Sequence, residues 1–255
     1  MATPMSRRRL HAKKFGLIYL LLIVAGGVAV GVGVKLAADG RPAPPPPWSA
    51  FKPTATDVKA VAQIANYVQG TYKQSNGKPL TEVRGGPLVM GSQEVQLAVR
   101  KDAVSNTVAA VDGLTAEYNM CGNAASCSVP KGVSTQRAGV LTRREAYQLA
   151  MLTFKYVDTV SNVVVLMPPL VKKTKARAIF IRRTDVQRDL GARTLRLPGD
   201  ATKINLVSQR EAEMIAKRTD PFIYSWILAD VDSKPTLVVN PISLDVKASI
   251  PPAGG

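Results

Sequence analysis

The sequence predicts an α+β fold: an N-terminal transmembrane helix, then one extracytoplasmic domain with a mainly antiparallel sheet and three to four helices. Three observations carry this reading. Residues 15–34 run for twenty residues without a charge. A Pro-rich stretch separates that run from a chain of ordinary composition, 46% hydrophobic overall, which can bury a core. Beyond it, helix and strand patterns mix without the steady alternation of a parallel α/β sheet. The length, 255 residues, suits one domain with extensions. The expected organisation is a cytoplasmic basic leader 1–14, a membrane helix 15–34, a linker 35–54, a domain 55–247 and a frayed tail 248–255.

At 1.5 Å per residue, the run FGLIYLLLIVAGGVAVGVGV makes a helix of about 30 Å, the thickness of a bilayer's hydrocarbon core. Arg7, Arg8, Arg9, Lys13 and Lys14 precede it, and only Lys35, Asp39 and Arg41 follow closely. This bias places the N-terminus in the cytoplasm and the rest outside. The competing reading is a cleaved signal peptide. Against it stand the long apolar region and a poor cleavage site at Leu36-Ala37-Ala38. Gly27 and Gly31 form a GxxxG pattern that suits close helix approach, hence a homodimer contact within the membrane. Glycine is also simply common in membrane helices.

Pro44 to Pro47 favour a semi-rigid polyproline spacer. Trp48 and Phe51 then suit either the membrane interface or the domain surface. The first helix is expected over 57–72, with Thr56 as N-cap and Val58, Val61, Ala62, Ala65 and Val68 as its apolar stripe. Val95, Leu97 and Val99 alternate as a half-buried strand. Gly85-Gly86 before Pro87 reads as a turn. Residues 103–140 show no clear pattern. Thr142-Arg-Arg-Glu145 reads as a capping box opening a helix to about 157. Strands follow at 162–167 and 177–183. Thr184 and Gln187 are read as capping a short helix that stops at Gly191. Ser208-Gln-Arg-Glu211 caps the next helix, and strands at 222–228 and 236–239 close the chain.

The segments LTRREAYQLAMLTFKYVDTVSNVVVLMPP, ARAIFIRRTDVQRDL and FIYSWILADVDSKPTLVVNPI, in that order, resemble a group of uncharacterised membrane-anchored exported proteins of actinobacteria. The resemblance covers about 54–242 and rests on pattern rather than on a chemical motif. It implies anchoring and export, and it brings no activity and no catalytic residues.

The single histidine, His11, lies in the leader. No imidazole remains downstream for a Ser-His-Asp triad or a His-ligated zinc. Cys121 and Cys127 enclose five residues. In an exported domain this pair suits a disulfide, with two reduced thiols as the alternative. Asp230 and Asp232 read as a solvated turn, because the other oxygen ligands of a calcium loop are missing. Glu211 and Glu213 point to different helix faces. No metal or other cofactor is expected, and the reading leans away from an enzyme.

Charge is the remaining signal. Formal net charge is +16, and +11 remains after the five leader cations are set aside. Lys172, Lys173, Lys175, Arg177, Arg182, Arg183, Arg188, Arg193 and Arg196 stand against only Asp185 and Asp189. Such a cluster attracts anionic lipid heads, acidic wall polymers or nucleic acid, although Phe180 alone offers little base stacking, or it is simply a solvated face. The expectation is a single-pass cell-envelope protein with a basic, non-enzymatic interaction or assembly module, working with the membrane and other envelope proteins. The alternatives are a wall hydrolase using two facing carboxylates, and an exported subunit of a secretion or DNA-transfer complex.

Overall fold

A computed structural model describes residues 48, 51–90, 93–101, 107–122, 127, 135–169 and 176–242. The predicted membrane helix with Gly27 and Gly31, and Lys172, Lys173 and Lys175, lie outside the described residues. Among the described helices none is long and apolar enough to cross a membrane. The chain divides into two compact units, 1–44 and 45–255, and every described residue belongs to the second.

The second unit is a mixed α+β domain with four helices and an eight-stranded, mostly antiparallel sheet among the described residues. In chain order the elements are α1 (Val58–Thr71), β1 (Thr81–Pro87), β2 (Val89–Met90), β3 (Gln93–Glu94), β4 (Gln96–Arg100), β5 (Val108–Ala110) and β6 (Leu114–Gly122). Then come α2 (Thr135–Tyr156), β7 (Val160–Met167), β8 (Arg177–Arg182), α3 (Arg183–Leu190), α4 (Gln209–Thr219), β9 (Ile223–Val231) and β10 (Lys234–Pro241). The sheet order is β1-β6-β7-β8-β9-β10-β4-β5. Of its strand pairs, β6–β7 and β10–β4 are parallel and the others antiparallel.

The connections force this sheet to curl. β5 and β6 are six strand positions apart, about 29 Å in a flat sheet at about 4.8 Å per step. Yet only three residues lie between Ala110 and Leu114, and the span has a reach of about 14 Å at most. β1 and β4 are likewise six positions apart, and their link is the β2–β3 hairpin, closed by Val95 N donating to Leu88 O at 3.2 Å. Leu88, Val95 and Val111, from these two links, pack with the core formed by Leu97, Val164, Leu166, Phe180, Leu237 and Val239. The sheet therefore curls over that face. The opposite face of β1, β6, β7 and β8 packs against the helices through Val83, Tyr118, Met120, Val163, Val165, Ile179 and Ile181. With a core on each side, β7 is buried almost throughout, which explains its continuous valine run.

Several local expectations are corrected. α2 begins at Thr135, so Thr142 and Glu145 are interior residues rather than a capping box. The Thr142 hydroxyl donates to Ala138 O, and burial of Ala138 and Leu141 holds this earlier turn in place. The N-cap of α1 is Asp57, whose carboxylate accepts from Lys59 N, rather than Thr56. α3 starts at Arg183, with the Asp185 carboxylate accepting from Arg182 N. Gly85 and Gly86 lie inside β1. A Cβ on Gly85 would come 2.6 Å from the Tyr118 ring and 2.9 Å from Val61 O, so only glycine lets α1 approach β1 there. The Ser208–Glu211 capping box of α4 is present as expected.

Trp48 and Phe51 pack on the domain. The Trp48 indole donates to Ala192 O at 2.8 Å, the Tyr156 hydroxyl donates to Trp48 O, and Phe51 stacks on Tyr67 at 4.2 Å.

Candidate functional site

The basic segment divides by what its side chains hold. Arg183 is bound into the fold. Its guanidinium donates to Phe154 O at 2.6 Å, Val157 O at 2.7 Å and Val160 O at 2.9 Å, tying the end of α2 to the start of β7. Arg177, at the start of β8, is half-buried near Arg143, and its charge helps to depress the Arg143 pKa. Arg182 is exposed and lies 5.6 Å from the Phe180 ring, so it does not point inward. Arg188, on α3, and Arg193 and Arg196 beyond it are exposed. The two acids of the segment face other groups: Asp185 accepts from Arg182 N, and Asp189 pairs with Arg218 of α4. Among the described residues no carboxylate pairs with Arg188, Arg193 or Arg196. Arg188 on α3 and Arg193 and Arg196 in the loop after it are thus each exposed, and among the described residues none is held by an ion pair.

Arg143 and Arg144, which a helix start at Thr142 would leave solvated, are both engaged. Arg143 pairs with Asp220 at 2.7 Å; burial pushes its pKa down and Asp220 opposes the shift. Arg144 is 5% exposed. It donates to the Tyr72 hydroxyl at 2.8 Å, Pro198 O at 2.9 Å and Gly199 O at 2.9 Å, while Tyr72 donates to Gln148 Oε1 at 2.6 Å. Burial raises the Tyr72 pKa, so its hydroxyl stays neutral and can donate. Beside this network Glu145 is fully buried, and neither carboxyl oxygen has a hydrogen-bond partner in good geometry. Burial holds its pKa well above the ordinary value, and the neighbouring Thr81 hydroxyl offsets this only in part. None of these roles was visible in the sequence. Charged residues inside a helix signal burial only once the packing of that helix is known.

A cleft of about 650 Å³ opens between α1, the turn after it and β1. Four carboxamides, Asn66, Gln69, Gln74 and Asn76, line it together with Lys78, Pro79 and Val83. Glu82 and Arg84 project from alternate positions of β1, and Glu82 is the one carboxylate among the described lining residues. Glu145 is not part of it. Elsewhere Glu211 serves structure, accepting from Ser208 N, Asp200 N and Ala201 N. Asp232 and Ser233 take left-handed backbone conformations in the β9–β10 turn, as a tight hairpin requires. Among the described residues no three His, Cys, Asp or Glu side chains gather as a metal site.

Cys121 and Cys127 form a disulfide that closes the end of β6, with Gly122 N donating to Cys127 O at 3.3 Å. This pairing agrees with the sequence expectation. Comparison with known proteins adds no identity: no family model matches the chain, and neither a curated protein nor a solved structure matches it significantly.

Proposed function

We propose that the chain is a single-pass cell-envelope protein. In this reading residues 15–34 anchor it, and the domain outside the membrane is a non-enzymatic interaction module that holds anionic material. The observation that carries this reading is the exposure of Arg188, Arg193 and Arg196, none held by an ion pair among the described residues. The disulfide supports it, because such bonds persist in oxidising, extracytoplasmic compartments. A single carboxylate in the described cleft also fits a binding module better than a two-carboxylate hydrolase. The partner chemistry is a phosphate-rich surface or chain, whether an anionic lipid headgroup or a wall polymer.

The test uses the full chain in detergent, with linear polyphosphate and anionic lipid vesicles as probes. Changing Arg188, Arg193 and Arg196 together to Gln should weaken binding about hundredfold at low salt, from about 1 kcal/mol per cation. Melting should stay where it was, because no described hydrogen bond or ion pair depends on these side chains. Arg183→Gln should do the reverse: it should lower the melting temperature and leave binding by the folded protein nearly unchanged. Equal binding by the triple variant and the parent would remove these arginines as the site.

A further inference from the structure

Gln69, Gln74 and Asn76 are each turned by one backbone bond. Gln69 Oε1 accepts from Val83 N at 2.7 Å, which leaves its NH2 for the cleft. Gln74 is 5% exposed and uses its NH2 on Pro79 O at 2.9 Å, which leaves its carbonyl. Asn76 Oδ1 accepts from Lys78 N at 3.0 Å, which leaves its NH2. Gly77, with φ at +81°, makes the tight turn that sets Asn76 beside Gln74. The amides are therefore oriented before anything binds, and Glu82 and Arg84 add a strong acceptor and a strong donor at the rim.

From this arrangement we infer that the cleft is a binding site for an uncharged, hydroxyl-rich ligand, an oligosaccharide. Hydroxyl groups both donate and accept, so they match alternating amide N–H and C=O groups better than either a polyanion or an apolar molecule does. The volume lies in the range of ligand pockets. Lys78, Glu82 and Arg84 give the lining charges of both signs, so it presents no single-sign field to a polyanion. Addition of a peptide strand to the β1 edge is disfavoured because Val83 N, in the middle of that edge, is already bound by Gln69. The ligand class follows from the cleft alone. That it would be a glycan outside the membrane rests on the export reading.

The experiment is calorimetric titration of the full chain in nanodiscs with tetra-N-acetylchitotetraose and with maltotetraose. Saturable binding of at least one sugar is expected, and it should change little between about 50 mM and about 500 mM salt because no charge on the ligand is screened. Glu82→Ala combined with Arg84→Ala should weaken it about tenfold or more, as two hydrogen bonds to charged groups disappear. Both residues are exposed, and an unchanged melting temperature would show that the fold is intact. The triple variant of Arg188, Arg193 and Arg196 should bind sugar as the parent does, so the two sites succeed or fail separately. Three results would overturn the inference. They are no heat with either sugar up to about 10 mM, where even a weak site would register, binding indifferent to the double variant, and capture of extended peptides at Glu82 and Arg84 with no sugar bound.

Discussion

Arg144→Ala should lower the stability of the domain by about 3–4 kcal/mol, among the largest effects expected of a single substitution. Arg144 bridges three parts of the fold: α2, Tyr72 after α1, and the loop at Pro198–Gly199. Removing it leaves two carbonyls without their donor and deprives the buried Tyr72 hydroxyl of its charged partner. Bonds to a charged group contribute about 1.5–3 kcal/mol each and do not add fully within a network. Its guanidinium also lies 5.5 Å from the centre of the Tyr72 ring, and alanine cannot reproduce that cation–π attraction. Melting should fall by about 6–16 °C. The neighbouring Arg143→Ala should cost about 0.5–1 kcal/mol, because the Arg143–Asp220 pair is partly exposed, at 20% and 43%. Urea unfolding of both variants checks the contrast. Equal destabilisation by the two would mean that Arg144 is not the junction described.

The second large effect depends on pH. In the native state Glu145 keeps its proton well above the ordinary carboxyl range because burial disfavours the charged form. The unfolded chain releases that proton near pH 4.5. Above that point the native state binds more protons than the unfolded state, so stability falls as pH rises. The fall is about 1.4 kcal/mol for each pH unit over which the native carboxyl stays neutral. Glu145→Gln keeps the shape and removes the titration. The variant should match the parent at about pH 4 and become progressively more stable than it towards pH 8. The neighbouring Tyr72 stays neutral over this range because burial raises its pKa, so it adds no titration of its own. Unfolding midpoints across the series test this. Parallel curves for the two proteins would show that Glu145 is ionised in the native state.

How much the sequence revealed depended on whether the deciding contacts were local. The Ser208–Glu211 box is closed within one helical turn, and the valine run of β7 is buried on both faces, so both were legible. Gly85-Gly86-Pro87 reads as a turn in isolation, but its glycine is required by Tyr118 and Val61, which are distant in sequence. β6 escapes a sequence reading although Ala116, Tyr118 and Met120 alternate inward, because Asn119 and Gly122 weaken its strand character. Thr142-x-x-Glu145 imitates a cap, and only the packing of Ala138 and Leu141 extends the helix back to Thr135. The basic segment was visible as composition. Its division into a structural Arg183 and an exposed trio depends on hydrogen bonds to residues 23–29 positions away, beyond the reach of any local pattern. The carboxamide cleft likewise forms only when α1, a turn and β1 converge.

The central claim, an exported domain held at the membrane, is tested most directly by one fractionation. Intact cells are treated with protease, then membranes are washed with carbonate and the chain is detected by its two ends. Without protease the full-length chain should remain in the washed membrane, because an uncharged run of twenty residues is long enough to span a bilayer as a helix. With protease the C-terminal signal should be lost while the N-terminal leader stays protected. Recovery of a soluble form beginning near Asp39, or a C-terminal domain protected in intact cells and degraded only after lysis, would contradict the account.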